Sequence, residues 1–337
     1  MTSPTTTTTR VAVVGGGTSS EHDVSLASAA AAADALRGGP WDVVPLTIGR
    51  DGSWHHGAGE GEHPFDLSGA VRVLSGCDVV LPLVHGRGGE DGTLAALCEL
   101  AGVPHVGSGV GAGAIAMDKW VTKLVAADLG LGVAPGRLLT AADQATDHLT
   151  LPVVVKPVSA GSSHGVTLVH RREDLDGALR AAFALGTRVL VEDLVVGREI
   201  DVAVLGRPDG SRVVAPALEI VCDGVFDADA KYGGEADFRV PASLDPAQRA
   251  ELENAAVRVY DALGCRGVAR VDFFLTVTGP VLNEVNTIPG FTPASQVPRM
   301  FAAAGTSYPE LLAMLLEDAL LEDQPLRAGR PVAVLQR

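Results

Sequence analysis

The sequence has few cysteines and no long apolar run, and these absences limit where the protein can work. Its four cysteines lie far apart, with no CxxC pair and no neighbouring histidine cluster. This spacing favours reduced, mostly buried thiols over a metal site or a disulfide framework. No stretch approaches the roughly 20 apolar residues that span a bilayer, and the threonine-rich start lacks the apolar region of a signal peptide. We therefore expect a cytoplasmic protein with no membrane partner, whose residues 1–9 form a disordered tail.

Basic residues are also scarce relative to acidic ones. The chain has 26 lysines and arginines against 41 aspartates and glutamates, a formal net charge of −15. This balance disfavours a general nucleic-acid or membrane-surface role, because both partners are anionic. Apolar residues make up 47% of the chain and charged residues 20%, which is typical of globular proteins. The length of 337 residues predicts two or three domains.

Strand and helix patterns alternate through the first third of the chain. The β-branched run RVAVVGGG ends in glycines and predicts a buried strand, and the alanine-rich VSLASAAAAADAL predicts the helix that follows. Two further strands, in WDVVPLTI and CDVVLPLVHG, and a helix in TLAALCELAG continue the alternation. This order predicts an N-terminal open parallel α/β domain over residues 10–117.

The pattern restarts after Met117 and predicts two more units of α+β type. A helix in MDKWVTKLVAADLG and a hairpin with a glycine-serine tip in LPVVVKPVSAGSSHGVTLV belong to a unit over residues 118–208. The third unit, residues 209–330, contains a long helix, a strong hairpin and the polar stretch DGVFDADAKYGGEADFRVPAS. Loops of that length inside compact domains are usually functional or disordered.

The hairpin of the third unit places charge in an apolar run, and its register predicts a metal site. If the chain turns about Thr278, Asp272 faces Glu284 and Arg270 faces Asn286. Side chains two positions apart share a face of a strand, so all four project to one side. Facing carboxylates repel unless a cation lies between them, and oxygen ligands suit a hard ion such as Mg²⁺. The alternative is a surface face on which Arg270 pairs with Asp272.

Other residues are compatible with nucleotide binding. Lys156 precedes a glycine-serine loop whose backbone N–H groups could bind phosphate oxygens, although a solvated turn is an equal alternative. Lys119 fits either a phosphate contact or a surface position on its helix. Glu192 and Glu199 flank an apolar connection that could hold an adenine edge and a ribose.

The first strand ends in a glycine turn that falls short of a dinucleotide fingerprint. In VVGGGTSSEHDVS the third glycine of GxGxxG is replaced by Ser20. What remains is a turn that presents Glu21, His22 and Ser25 at the carboxyl edge of a strand, where ligands commonly bind in open α/β sheets.

Eight segments, taken in order, resemble the D-alanine–D-alanine ligases of the ATP-grasp superfamily. Together they span nearly the whole chain, and they are GGTSSEHDVSLAS, HGRGGEDGTL, VPHVGSGVGAGAIAMDKWVTK, VVVKPVSAGSSHGV, VLVEDLVVGREIDVAVLG, DADAKY, GVARVDFFL and NEVNTIPGFTPASQVPRM. The resemblance implies an ATP-grasp fold, of α/β and α+β class, behind an N-terminal open parallel α/β domain. It also implies ATP, two Mg²⁺ ions with Mn²⁺ as an alternative, D-alanine as substrate and a homodimer.

The resemblance assigns roles to the matching residues. Those that would bind the nucleotide are Lys119, Lys156, Glu192, Leu194, Glu199 and Asn283. Those that would bind the metal ions are Asp272, Glu284 and Asn286. The residues that would contact the reacting groups, or would hold a mobile loop over them, are Glu21, Ser162, Tyr232, Arg270 and Gly290. Those placed around the substrates and the transferred phosphate are His85, Lys231, Ser295 and Gln296.

The implied reaction is the ATP-dependent joining of two D-alanine molecules for peptidoglycan precursor synthesis. The carboxylate of the first D-alanine becomes an acyl phosphate, which the amine of the second attacks. Tyr232 indicates dipeptide formation, whereas Gln296 stands where an apolar leucine or methionine is expected beside the second substrate. The first alternative is a related ligase that uses D-serine, D-lactate or another acceptor, as in antibiotic resistance. The second alternative is a non-catalytic ATP-binding or Rossmann-type protein.

Overall fold

The fold is that of a computed structural model, which describes residues 8–61, 63–140, 149–161, 164–221 and 237–322. Within these ranges the chain forms 15 strands and nine helices, and the strands make three sheets. The mixed α/β and α+β class predicted from the sequence is confirmed. Three predicted site residues, Ser162, Lys231 and Tyr232, lie outside the described residues, as does most of the long polar stretch that contains the last two.

The N-terminal sheet has the strand order β3-β2-β1-β4. Strands β2 and β4 both pair with β1 in parallel, as the alternation of strands and helices predicts. Strand β3 adds an antiparallel edge that the sequence analysis did not predict. The elements of this part are β1 (Thr9–Gly16), α1 (His22–Leu36), β2 (Trp41–Ile48), β3 (Trp54–His56), α2 (Leu67–Leu74), β4 (Val79–Pro82), α3 (Thr93–Ala101) and α4 (Val110–Met117).

The central sheet has the order β6-β9-β7-β8 and is antiparallel throughout. The pairing of β7 with β8 confirms the predicted hairpin. Helix α6 covers this sheet, and Leu175 and Ala178 pack into its core. The elements of this part are α5 (Lys119–Asp128), β5 (Gly132–Val133), β6 (Gly136–Thr140), β7 (Val153–Pro157), β8 (Thr167–Val169), α6 (Arg172–Phe183) and β9 (Arg188–Asp193).

The large sheet has the order β13-β12-β10-β14-β15-β5, with β11 paired to β10. Helix α7 begins with a capping box between Asp245 and Gln248 and has proline in its first turn, which fixes its start. The elements of this part are β10 (Arg198–Gly206), β11 (Arg212–Val214), β12 (Leu218–Val221), β13 (Asp237–Arg239), α7 (Pro246–Ala262), β14 (Gly267–Thr276), β15 (Gly279–Asn286), α8 (Gln296–Ala303) and α9 (Tyr308–Glu322).

Strands β9 and β10 are consecutive in the chain but belong to different sheets. The connection over residues 194–197 therefore crosses from the central sheet to the large sheet. Strand β5 also crosses this boundary, because it pairs with β15 of the large sheet. The predicted division of the chain at residues 117 and 208 stays a prediction.

The β14–β15 hairpin has the predicted pairing of its charged residues, and its turn contains Thr278 but is one residue shorter than symmetry about Thr278 implies. Asp272 faces Glu284 and Arg270 faces Asn286. The turn is a two-residue connection between Thr276 and Gly279, and Gly279 has the positive φ of +116° that such tight turns favour. A β-bulge after Asp272 adds one residue to β15 and restores the register of the charged pairs.

One hydrophobic core joins the two ends of the chain. Val11 and Ala29 of the N-terminal part lie in the same buried cluster as Leu311 of α9 and Val268 of β14. Helix α9 thus packs between α1 and the large sheet. This packing holds the carboxyl edge of the N-terminal sheet close to the end of β15.

The hydrogen bonds of Tyr260 between α7 and the large sheet can be tested for their contribution to stability. This fully buried residue donates a hydrogen bond to the Gly267 carbonyl (2.7 Å) and accepts one from the Gly206 N–H (3.2 Å). The variant Tyr260→Phe leaves both backbone groups without this partner, so we expect the free energy of unfolding to fall by about 1–3 kcal/mol. Urea denaturation measures the change. The control Tyr308→Phe removes a single bond, to the Phe291 carbonyl, and an equal or larger loss there would contradict the expectation.

Candidate active site

A cleft of about 490 Å³ opens between the central sheet and the large sheet. Its volume is in the range of small-molecule sites. All six residues predicted to bind the nucleotide line it, and they are Lys119, Lys156, Glu192, Leu194, Glu199 and Asn283. Arg270, Asp272 and Glu284 of the hairpin line the same cleft. The structure therefore brings the six predicted nucleotide residues and two of the three predicted metal ligands to one cleft.

Lys119 reaches the cleft from the first turn of α5. The Asp118 side chain caps this helix by accepting a hydrogen bond from the Val121 N–H (3.0 Å). The Lys119 Nζ lies 2.9 Å from Glu284 Oε2 and donates to the Ala160 carbonyl (2.8 Å). Burial by itself lowers the pKa of Lys119, but the nearby carboxylates, Glu284 first, outweigh it and raise that pKa above its ordinary value.

Glu192 is shared by two buried lysines. Its Oε2 lies 2.6 Å from Lys156 Nζ, and its Oε1 pairs with Lys123. Lys156 also donates to Asn283 Oδ1 (3.2 Å), the residue of the β15 bulge. Burial raises the pKa of Glu192, but the two lysines outweigh it and hold that pKa below its usual value. Two lysine side chains thus share this one carboxylate.

The sequence analysis did not identify Lys123. The signal for it is its spacing, because Lys119 and Lys123 are four residues apart and share one face of α5. Burial and the neighbouring Lys156 lower the pKa of Lys123 to about 8. Lys123 therefore releases its proton nearer to neutral pH than an ordinary lysine does.

Arg270 and Asp272 form a buried ion pair. The guanidinium donates from Nε to Asp272 Oδ1 and from Nη2 to Oδ2, both at 2.7 Å. Asn286 donates to the same carboxylate from Nδ2 (3.0 Å). Arg270 and Asp272 are only 6% and 4% exposed. The pairing that the surface alternative required is present, but it lies inside the cleft and not on a solvated face.

Glu284 is kept ionised in its buried position. Burial raises the pKa of its carboxyl group, but Lys119 above all, with Lys156 and Arg270, outweighs burial and lowers that pKa to about 2. The apolar run around Glu284 therefore tolerates a charge because cations from α5, β7 and β14 surround it.

The hairpin offers a donor set that fits a hard divalent cation. Asp272 and Glu284 face each other across the two strands, and Asn286 follows on the same face of β15. Across the described ranges, no three His, Cys, Asp or Glu side chains converge at metal-binding spacing. The third protein donor would therefore be the carboxamide oxygen of Asn286, which is a ligand type that Mg²⁺ accepts.

Glu21 lies where the N-terminal sheet meets the glycine-serine loop of the central sheet. A Cβ atom on Gly161 would lie 2.3 Å from Glu21 Oε2, and one on Gly86 would lie 2.7 Å from the same oxygen. Both positions therefore require glycine for the loop and the carboxylate to approach this closely. Glu21 is thus enclosed by segments from two sheets.

His85 connects the N-terminal sheet to the segment after β15. It is 2% exposed, and its Nδ1 lies 2.9 Å from the Ile288 carbonyl oxygen. Its Nε2 lies 2.9 Å from Ser28 Oγ, which accepts a hydrogen bond from the Phe291 N–H (3.2 Å). These contacts fix the backbone on both sides of Gly290.

The remaining predicted substrate residues lie at the start of α8. Ser295 precedes this helix and its Oγ accepts a hydrogen bond from the Thr292 N–H (3.0 Å). A Cβ atom on Gly290 would lie 3.3 Å from that Oγ, so Gly290 and Ser295 are neighbours. Gln296 is 8% exposed and points toward Arg270.

Glu90 is a second residue that the sequence analysis did not identify. It lies in the HGRGGEDGTL segment, and its Oε1 is 3.8 Å from His85 Nδ1. Burial, and then the charge of Glu21, raises the pKa of Glu90 to about 8. The protein therefore places a nearly neutral carboxylic acid beside Glu21.

Two sheets that close on a cleft lined by lysines and carboxylates define an ATP-grasp enzyme. Residues 10–108 match the family model described as D-ala D-ala ligase N-terminus, and residues 132–317 match the one described as D-ala D-ala ligase C-terminus. The chain belongs to the D-alanine–D-alanine ligase family.

Individual proteins agree with this assignment. The D-alanine–D-alanine ligase of Rhodococcus erythropolis is 40% identical over an alignment 351 positions long, which covers 91% of this chain and 95% of the relative. The VanG D-Ala:D-Ser ligase of Enterococcus faecalis has a TM-score of 0.81 and 35% identity, covering 93% of this chain and all of that one. The ligase of Bacillus anthracis, solved in complex with ATP, has a TM-score of 0.78 and 28% identity, covering 93% of this chain and 97% of that one.

No helix in the described part of the chain is both long enough and apolar enough to cross a membrane.

The double pairing of Glu192 can be tested by removing its charge. The variant Glu192→Gln leaves Lys123 and Lys156 buried without a carboxylate, so we expect the free energy of unfolding to fall by about 3 kcal/mol. Chemical denaturation near neutral pH measures this. The matched control is Glu173→Gln, whose side chain is 71% exposed. Equal stability of the two variants would show that the buried lysines do not depend on Glu192.

Proposed function

We propose that the protein joins two D-alanine molecules through an acyl phosphate, with ATP as the phosphoryl donor, for peptidoglycan precursor synthesis. The observation that carries this proposal is one cleft in which Lys119, Lys156, Arg270 and Glu284 converge, in a chain of the D-alanine–D-alanine ligase family. Glu21 and His85 lie beside that cleft on the N-terminal sheet, where the amino acid would bind.

The nucleotide would lie between the two sheets. Leu194 of the connecting segment would contact the adenine, Glu199 the ribose, and Lys119 and Lys156 the phosphates. Glu192 stands between the two regions and holds Lys156 in place. The ATP complex of the Bacillus anthracis ligase supports this use of the cleft.

Asp272, Glu284 and Asn286 would hold Mg²⁺, and Mn²⁺ shares the same preference for oxygen ligands. A divalent ion bound there would neutralise negative charge on the phosphates. Lys119 is paired with Glu284 in the free protein, so a cation that takes over Glu284 would leave the Lys119 ammonium for a phosphate oxygen.

The protein's own groups would position the reactants. Glu21 would hold the ammonium of the first D-alanine, whose carboxylate oxygen attacks the γ-phosphorus while ADP leaves. Arg270 would stabilise the charge on the transferred phosphoryl group. The amine of the second D-alanine, held through its carboxylate by Ser295, would then attack the acyl carbon. The Gly290 N–H would stabilise the resulting oxyanion before phosphate leaves.

The acyl phosphate would need protection from water, because it hydrolyses readily. Ser162 and Tyr232 would tie a loop over the site, and Lys231 of that loop would reach the phosphate. These three residues lie outside the described part of the chain, and their roles rest on the family resemblance. The same resemblance supports a homodimer in the cytoplasm, and light scattering of the purified protein tests the dimer.

D-Serine is the second candidate acceptor. The similarity to a protein described as a D-Ala:D-Ser ligase and the polar Gln296 motivate it. D-Alanine is favoured because both ends of the Gln296 carboxamide already bind protein groups, Arg270 and Asp201. Mass spectrometry of products formed from equal D-alanine, D-serine and D-lactate separates the candidates.

The ligase reaction is tested by phosphate release from ATP. We expect release only when D-alanine is present, with D-alanyl-D-alanine as the product. The variant Glu284→Gln removes a proposed metal ligand and should lower turnover about 100-fold, roughly 2.7 kcal/mol of transition-state stabilisation. The control Glu251→Gln changes an exposed carboxylate of α7. Release without D-alanine, or full turnover by Glu284→Gln, would contradict the proposal.

The lowered pKa of Lys123 predicts a pH dependence of nucleotide binding. Below about pH 8 Lys123 of the free protein is a charged ammonium group, which attracts the phosphates of ATP. Above about pH 8 Lys123 loses its proton and this attraction. Affinity for ATP should therefore fall as pH rises through about 8, measured by titration calorimetry. Lys123→Arg keeps its charge and should lack this decline. The same decline in both proteins would contradict the role of Lys123.

A further inference from the structure

Gln296 lies underneath Arg270 with both ends of its carboxamide in use. Its Oε1 accepts a hydrogen bond from Arg270 Nη1, and its Nε2 donates to Asp201 Oδ2, both at 2.7 Å. A guanidinium can only donate, so the contact with Arg270 fixes which end of the carboxamide is the oxygen. The side chain is 8% exposed, and it therefore connects two buried groups.

Asp201 lies on β10, directly opposite Asp272 of β14. It is completely buried, and its Oδ2 is 3.4 Å from Arg270 Nε. Arg270 is therefore surrounded by two aspartate side chains and one carboxamide. A buried polar group is costly unless it is hydrogen-bonded, and Gln296 supplies such a hydrogen bond to Asp201.

These contacts fix the orientation of the guanidinium. Of the five N–H groups of Arg270, two bind Asp272 and one binds Gln296, which leaves one N–H on each terminal nitrogen. Asp272 alone would hold only the edge formed by Nε and Nη2. Gln296 holds the third nitrogen, so the plane of the guanidinium is fixed from two directions.

Asp272 is also a proposed metal ligand, whereas Gln296 and Asp201 are not. An anchor for Arg270 that is independent of the metal site would keep the guanidinium in place when Asp272 changes partners. We propose that Gln296 and Asp201 are positioning residues that orient Arg270 toward the transferred phosphoryl group. This inference rests on the proposed function, and it gives Gln296 a role other than contact with the second substrate.

The kinetic test uses Gln296→Met, which keeps the length of the side chain and removes both hydrogen bonds. We expect kcat to fall about tenfold while the KM for the second D-alanine changes by less than about twofold. Asp201→Leu, which removes the acceptor of the Gln296 hydrogen bond, should lower kcat in the same way. In an Arg270→Lys background, Gln296→Met should have less than about a twofold further effect, because the oriented group is gone. Unfolding curves for each variant show that it is folded.

An unchanged kcat with a raised KM for the second D-alanine would overturn the inference, because it would show a direct contact with the acceptor. Full additivity of Gln296→Met and Arg270→Lys would also overturn it. Absence of D-alanine-dependent phosphate release by the unaltered protein would instead contradict the proposed function.

An NMR measurement tests the inference without turnover. In ¹⁵N-labelled protein, the Nη signals of Arg270, assigned by their loss in Arg270→Lys, should be separate because rotation of the guanidinium is restricted. In Gln296→Met the Nη1 signal should shift and broaden because its hydrogen bond is lost, whereas Asp272 still holds Nη2. An unchanged Nη1 signal in Gln296→Met would overturn the inference.

Discussion

The burial of charged side chains on the β14–β15 hairpin is the constraint on which the rest of the site depends. A buried ion costs several kcal/mol unless a partner of opposite charge compensates it. The partners come from elsewhere in the fold. Lys119 comes from α5 and pairs with Glu284, and Arg270 comes from the hairpin itself and pairs with Asp272. Lys156 comes from β7 of the central sheet, and its charge helps to lower the pKa of Glu284. The buried charges of the hairpin are therefore compensated only if the central sheet and the large sheet meet. They meet at the cleft.

The same pairing prepares the cleft for anionic ligands. Each cation is already buried and oriented by a carboxylate before a phosphate arrives, so little rearrangement is needed when the phosphate binds. Glu192 pairs with two lysines at once, which places two ammonium groups beside one carboxylate in this part of the cleft. A protein of net charge −15 can thus bind a nucleotide through a local field that its overall composition does not reveal.

Much of this arrangement could be predicted from sequence because strand pairing follows simple arithmetic. The facing of Asp272 and Glu284 depends only on the register of two adjacent strands. The two-residue turn and the β-bulge after Asp272, whose effects on the register cancel, were not predictable. A bulge depends on local packing that the alternation of apolar and polar residues does not encode. Strand β3 was missed because three residues are too few to show a period. Lys123 and Asp201 were missed because their partners lie 69 and 95 positions away, and only the folded chain brings them together.

The central claim is that the facing carboxylates of the hairpin hold a divalent cation beside the nucleotide. Electron paramagnetic resonance of Mn²⁺ titrated into the ADP-bound protein tests it most directly. We expect Asp272→Asn and Glu284→Gln each to weaken the protein-bound Mn²⁺ by at least about tenfold, with Glu251→Gln unchanged. Equal Mn²⁺ affinity in all four proteins would contradict the account.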